Sequence, residues 1–240
     1  MIGLAAISLL GRPDDAAAGL QYVGGASGGS TGASYSVSLA SLGIQTGDIV
    51  VVATGTINNG TSQASLTCSG NNSGAYTTNT AASEGTDTWD CTFKIFYKVM
   101  GGTPDTSLSM ARAAGAAYGG STAVHVWRNV NATPIDTTGT AATGTNTGRG
   151  DPPAITPANA GAIILACGVG AQAPGGSAFT VPSGMSNGVS VYTDGSTSGC
   201  GVFIASDVWI SGSYNPAAWT GGSDSTNASW IANTIALRPA

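Results

Sequence analysis

The chain states the same series of short motifs twice, in the same order. QTGDIVVVATG (45–55) answers to NAGAIILACGVG (159–170), which sets Gly47 against Gly161. SLTCSG (65–70) answers to FTVPSG (179–184), and FKIFYKVMGG (93–102) to FIASDVWISG (203–212). AVHVWRNV (123–130) answers to NTIALRPA (233–240), with Arg128 against Arg238. The first two blocks stand 114 residues apart (47 to 161) and the last two 110 (93 to 203), so the mismatch falls in one loop. Loops absorb a change of length at small cost. A period this long exceeds that of solenoids and propeller blades. It predicts two pseudo-equivalent halves.

Each half reads as about five strands rich in Val, Ile, Thr, Phe, Tyr and Trp, punctuated by Gly, Pro and Asn. DIVVVA and AIILAC are apolar on both faces and suit central strands. FKIFYKV alternates, with Phe93, Ile95, Tyr97 and Val99 on one face and Lys94, Phe96 and Lys98 on the other, as a half-buried antiparallel strand does. MARAAGAAYGG (110–120) is Ala-rich but broken by glycines, and reads as a loop or a single turn. The expected class is all-β, a sandwich or jelly roll. Its divisions are an N-terminal arm plus first strand (1–43, with ASYSVSLA as the strand), half one (44–135), a Thr/Gly/Pro-rich connection (136–158) and half two (159–240). Five strands alone bury little core, so the halves are expected to share one sandwich, with two small sandwiches in tandem as the alternative.

Composition narrows the function. Charged residues make up only 8% of the chain, against about a quarter in an ordinary globular protein. With apolar residues at 42% in strand-like runs, this describes a folded domain rather than a disordered one. A net charge of −5 without clustered Lys or Arg argues against nucleic acid as a partner. No apolar run approaches the ~20 residues of a membrane span. The opening MIGLAAISLL is apolar without a basic flank and reads as an arm that packs on something.

Residues able to carry chemistry are scarce. His125, the single histidine, lies in strand alternation within TAVHVW and reads as a structural residue rather than a general base. Glu84 is the sole glutamate, and Asp48, Asp87, Asp90, Asp105, Asp194 and Asp207 are scattered, so no pair of opposed carboxylates is marked out. DTWD (87–90) reads as a turn capping backbone N–H groups rather than as Ca²⁺ ligands. No C-x-x-C spacing suggests zinc, and no cofactor is expected. Cys68 and Cys91 flank a loop and form the expected disulfide pair, while Cys167 reads as a buried hydrophobe. RGD at 149–151 and the sequons at Asn59, Asn71, Asn131 and Asn227 are of a kind that arises freely in such a composition. Trp127 and Trp209 are placed in strands and the core. Trp89, Trp219 and Trp230 are the aromatics a carbohydrate-binding surface would use.

Together these motifs form a pattern: a G-D-hydrophobic strand, a CSG or PSG strand end, an FYKV-x-GG strand and turn, a W-R-N-V end, and a close on ALRP. The pattern, from Ile44 to Pro239, resembles β-sandwich proteins encoded among the structural genes of tailed bacteriophages and related gene-transfer particles. The resemblance implies a non-enzymatic virion component, assembled in the host cytoplasm, that contacts a major capsid or tail protein. It supplies no catalytic residues. The expectation is a capsid decoration or head-fibre protein, with a tail appendage or a receptor- or carbohydrate-binding adhesin as the alternative. Low charge, neutral loops and the apolar arm point to a homo-oligomer, with a trimer favoured.

Overall fold

The computed structural model describes residues 19–58, 65–86, 88–112, 118–145, 147, 149–222 and 228–240. The expected arm (1–10) lies outside them. Two strands organise the rest: β3 (Ile49–Asn58) and β12 (Ile163–Gln172), each buried along nearly its whole length. β-branched runs such as IVVV favour extended backbone, and with no polar face they require cover on both sides.

Each begins at a tight turn whose glycine has positive φ, 86° at Gly47 and 78° at Gly161. Gly47 donates its N–H to the Met100 carbonyl at 2.9 Å, and Asp48 N–H closes on the Gln45 carbonyl at 3.1 Å. In the second turn Ala162 N–H closes on the Asn159 carbonyl at 3.2 Å. A Cβ disfavours this backbone conformation, which explains a glycine at both places.

All named pairings are antiparallel. β3 lies between β7 (Asp90–Val99) and β9 (Gly120–Arg128); β1 (Gln21–Ser30) and β6 (Thr77–Glu84) form the edges, giving the order β1-β9-β3-β7-β6. In the second sheet β12 lies between β15 (Gly199–Val208) and β17 (Trp230–Pro239). β10 (Val130–Thr138) and β14 (Ser186–Thr193) are the edges, so the order is β10-β17-β12-β15-β14, and β11 (Ala142–Gly144) also pairs with β17.

The sheets stack face to face as a β-sandwich. Ile49, Val51, Ala53, Phe93 and Ile95 of the first meet Leu165, Cys167, Val169, Val202, Ile204, Ile231 and Ile235 of the second. Burying each large aliphatic side chain contributes about 1.5–3 kcal/mol. The outer faces are covered as well. A third sheet, ordered β2 (Ser34–Ser38), β8 (Ser107–Arg112), β4 (Leu66–Gly70) and β5 (Gly74–Ala75), lays Val37, Leu108 and Met110 over Val50, Val52, Phe96, Val124 and Val126. On the far side a ribbon of β13 (Phe179–Thr180) and β16 (Thr220–Gly221) brings Phe179 and Trp219 onto Phe203, Ala205 and Ala232.

Several expectations are corrected. β7 is not half-buried with a solvent face, because the third sheet covers Phe96 and Lys94 Nζ reaches back to the Leu66 carbonyl at 3.1 Å. The connection 136–158 is not all loop: β10 runs through Thr138, and residues 142–144 pair with β17, since Thr-rich chain suits extended backbone. An additional strand, β1, precedes the expected ASYSVSLA strand. Of MARAAGAAYGG, the first three residues end β8 and the last begins β9, while 113–117 lie outside the described residues.

The expected Cys68–Cys91 bond is absent. All four cysteines are free and buried, and these two sit in different layers, Cys68 under the third sheet and Cys91 between the main sheets. Burial pushes the Cys68 and Cys200 thiols up to about 12 and those of Cys91 and Cys167 well up. A thiol reagent at neutral pH should therefore modify none of the four within minutes in native protein and all four in denaturant; rapid native labelling of any one would contradict this packing.

Gly168 and Gly55 let the sheets and their covers approach. A Cβ at Gly168 would collide with the Phe203 ring and lie 2.7 Å from the Ile231 carbonyl oxygen. Gly168→Ala should cost about 1–3 kcal/mol by chemical denaturation. Gly102→Ala, an exposed site with open space around it, should stay within about 0.5 kcal/mol.

Candidate interaction surface

The polar side chains that sequence reading singled out mostly hold the framework together. Asp48 is buried and accepts Nε and Nη2 of Arg128, both at 2.8 Å, together with the Gln45 N–H, tying the first turn to the end of β9. Asp105, also buried, accepts the N–H groups of Asn72 (2.8 Å) and Ser73 (2.9 Å), the Tyr76 hydroxyl (3.0 Å) and the Ser73 hydroxyl. Burial alone would raise its carboxyl, but these donors outweigh burial and hold it below the usual range.

Asp136, in β10 of the second sheet, works in the same way. It accepts the Ala158 N–H at 2.7 Å and the Asn159 side chain, and it faces Arg238 at 3.5 Å. Its carboxyl is also held low against burial. Tyr192 donates to Asp194 at 2.8 Å, and Tyr214 donates to Asp207 at 2.6 Å. Asp90 is buried in β7, and Asp87 lies outside the described residues. Among the described residues no three His, Cys, Asp or Glu side chains converge as metal ligands.

One open hollow of ≈ 300 Å³ is bordered by Ser65, Thr67, Ala111 and Arg112. Its single charged side chain is already engaged. The Arg112 guanidinium donates to the carbonyls of Gly32, Thr31 and Tyr118 and to the Thr56 hydroxyl, at 2.6–2.9 Å. Arg112 thus joins β8, the β1–β2 turn, the end of β3 and the chain just before β9.

The aromatics are equally committed. Trp127 packs beside Tyr22 with rings 5.2 Å apart, and Trp219 stacks on Phe203 at 4.2 Å, fully buried. Trp89 and Trp230 are half-buried, so the three candidate sugar-stacking aromatics do not form an exposed platform. The RGD segment is packed down over its first two residues, while Asp151 is exposed: Gly150 is buried with its carbonyl accepting the Trp219 N–H at 3.0 Å, and Arg149 Nε donates to the Gly221 carbonyl at 3.1 Å. Of the sequons, Asn71 accepts the N–H groups of Thr106 and Ser107, and Asn131 that of Thr133. Asn59 and Asn227 lie outside the described residues.

Among the described residues, the large hydrophobic side chains left exposed sit at one place. Past the end of β15 the chain turns through Val208, Trp209 and Ile210, and Val208 and Ile210 are 58% and 88% exposed. Trp209, expected inside a strand, lies beyond it; its indole donates to the Gly212 carbonyl at 2.9 Å while its ring packs on the cluster of Ile155, Ile164 and Tyr214. That anchorage fixes the turn and leaves Ile210 pointing away from cover. Met100 holds the matching place in the first series of motifs, and it is 2% exposed. Around the tip Ser211, Gly212, Ser213, Asn215, Ala217 and Ala218 are exposed and uncharged. Sequence reading missed this surface. Its one signal was Ile-Ser-Gly standing where the first series has Met-Gly-Gly.

With this geometry in hand, the chain was compared with protein-family models, curated proteins and solved structures, and no match was found.

His125 occupies the seam between the main sheets. Its Nε2 lies 2.6 Å from the Asn187 carbonyl oxygen of β14, its ring meets Tyr22 edge-on at 5.0 Å, and Nδ1 is buried without a hydrogen-bond partner. Burial lowers its pKa to about 3, a shift that the bond to Asn187 only partly opposes. The folded state therefore keeps this ring neutral, while the unfolded chain takes up a proton near pH 6.5. Stability is complete above that value and is lost as pH falls from 6.5 toward 3. Between pH 7 and pH 5 the loss should be about 2 kcal/mol by chemical denaturation. His125→Gln should flatten that slope; an unchanged slope would contradict the assignment.

Proposed function

We propose that this chain is a non-enzymatic structural protein of a tailed-bacteriophage virion, a decoration or head-fibre protein on the capsid surface that works as a homo-oligomer, with a trimer favoured. The observation that carries the reading is how its side chains are spent. Buried carboxylates and Arg112 fasten turns and layers, and the fixed Val208–Ile210 tip offers a contact surface rather than a reaction site. A molecule of this kind works by being rigid and by touching neighbours. The low charge of the chain agrees with surface packed against other particle proteins.

The same reading takes the two halves as pseudo-equivalent. The matching orders β1-β9-β3-β7-β6 and β10-β17-β12-β15-β14, each centred on a strand that follows a positive-φ glycine, support it. An experimental structure in which Gly47 and Phe93 fail to fall on Gly161 and Phe203 when the halves are superimposed would count against it.

Immunogold labelling of particles from the source culture tests the address, and light scattering on the purified protein tests the assembly. Label on capsids and a trimer mass are expected. A monomer that stays off particles and cleaves a glycan at a measurable rate would overturn the proposal.

A further inference from the structure

We infer that β14 is an acid-released latch: in acid the seam that His125 closes between β9 and the start of β14 parts, and β14 comes free while the core stays folded. The His125 Nε2 lies 2.6 Å from the Asn187 carbonyl oxygen, which only accepts, so Nε2 carries the ring hydrogen and Nδ1 the lone pair. A further proton must land on Nδ1, which is buried and has no hydrogen-bond partner. Nothing around the ring suits a cation. Val51 of β3 and Gly25 of β1 flank His125 in the sheet, while β14 and β15 bring Asn187, Val189 and Ser206 to the seam. Tyr22 of β1 is the titratable side chain in ring contact, and burial raises its phenol, so it stays neutral throughout. On β9 itself Arg128 is turned to Asp48. An imidazolium is therefore accommodated only where the seam is open.

The strand on the other side of this bond is the one best placed to yield. Asn187 has a φ of 54°, in the left-handed region that favours glycine. It sits where the β14–β15 register shifts, between Ser186 and Val189. Two ties hold it there, His125 on its carbonyl and the Ser206 hydroxyl on its amide at 2.9 Å. β14 pairs with β15 alone in its sheet, and none of its residues is fully buried. The neighbouring edge strand β1 has none fully buried either, and it meets β14 through glycines, Gly25 against Val189 and Gly29 against Thr193. Parting these two strands exposes little apolar surface, whereas opening β3 or β12 uncovers strands buried along nearly their whole length. Segments with few buried contacts open first. Protonation removes one of the two ties at such a segment. The latch is a property of the chain itself and does not rest on the particle reading.

The test is amide hydrogen exchange on the full chain at pH 7 and pH 5, corrected for intrinsic rates, with urea added in small steps. A ring kept neutral when closed and free to titrate when open raises the opening constant of β14 about 25-fold between these pH values. That rise is expected at the β14 amides, nearly independent of low urea. Amides of β3 and β12 should stay better protected and carry the full urea dependence of global unfolding. Unchanged β14 protection between the two pH values overturns the inference. So does β14 exchange that matches β3 and β12 in rate and urea slope, because the proton then enters only with global unfolding. His125→Gln keeps an amide donor but has nothing to titrate, so β14 protection should become nearly independent of pH; a retained 25-fold rise also overturns the inference. If that variant does not fold, the wild-type comparison of β14 with β3 and β12 decides alone. Labelling of particles is read separately, so its failure leaves the latch standing.

Discussion

Everything in this fold answers to the two strands that have no polar face. β3 and β12 place aliphatic side chains both above and below the sheet, so one sheet packed on another does not hide them. The result is a stack: the two main sheets share a core, and each takes a further cover on its outside, four strands and their turns in one case and a short ribbon with long loops in the other. The unequal covers explain the unequal ends. Where the four-stranded cover reaches, Met100 is hidden; where the smaller one stops, Ile210 is not.

Loops that cross the outside of such a stack contribute little apolar surface of their own, and they are secured by polar means. Asp105 and Asp136 each gather two backbone N–H groups of a turn, and Asp48 takes one together with the Arg128 guanidinium, so each ties a turn to a neighbouring element. At Asp105 and Asp136 these donors outweigh burial and hold the carboxyl below its usual range. A chain with few charges has placed several of them as internal fasteners.

The central strands were legible because a run such as IVVV or IILAC admits few alternatives at that length, and the alternation in FKIFYKV identified its inward face correctly. β1 was not legible. QYVGGASGGS carries almost no apolar pattern, and its glycines are there because β14 and the third sheet come too close for side chains, which is a property of tertiary approach. The join 136–158 looked like loop because Thr and Gly mark turns as readily as edge strands. The cysteine pairing failed for a related reason: closeness along the chain says nothing about which face of a sheet a residue takes, and Cys68 and Cys91 lie on opposite sides of the first sheet. The tip was invisible because exposure of Ile210 depends on how far a cover extends.

The strand orders also govern how quickly such a molecule is made. Among the described strands of the main sheets, only β6–β7 and β14–β15 join strands that follow one another directly. Gln21 waits for Arg128, Ile49 for Trp127 and Ile163 for Leu237, so most of the ladder closes across long stretches of chain. Such topologies fold on a scale of about milliseconds to seconds, since loop closure must precede the contacts that reward it. During that interval the aliphatic runs of β3 and β12 are open to one another on separate chains, and their uncharged composition offers no repulsion to keep them apart. The feature that makes the finished sandwich so thoroughly packed therefore sets its yield by a race between intramolecular closure and aggregation, decided by temperature and concentration during synthesis.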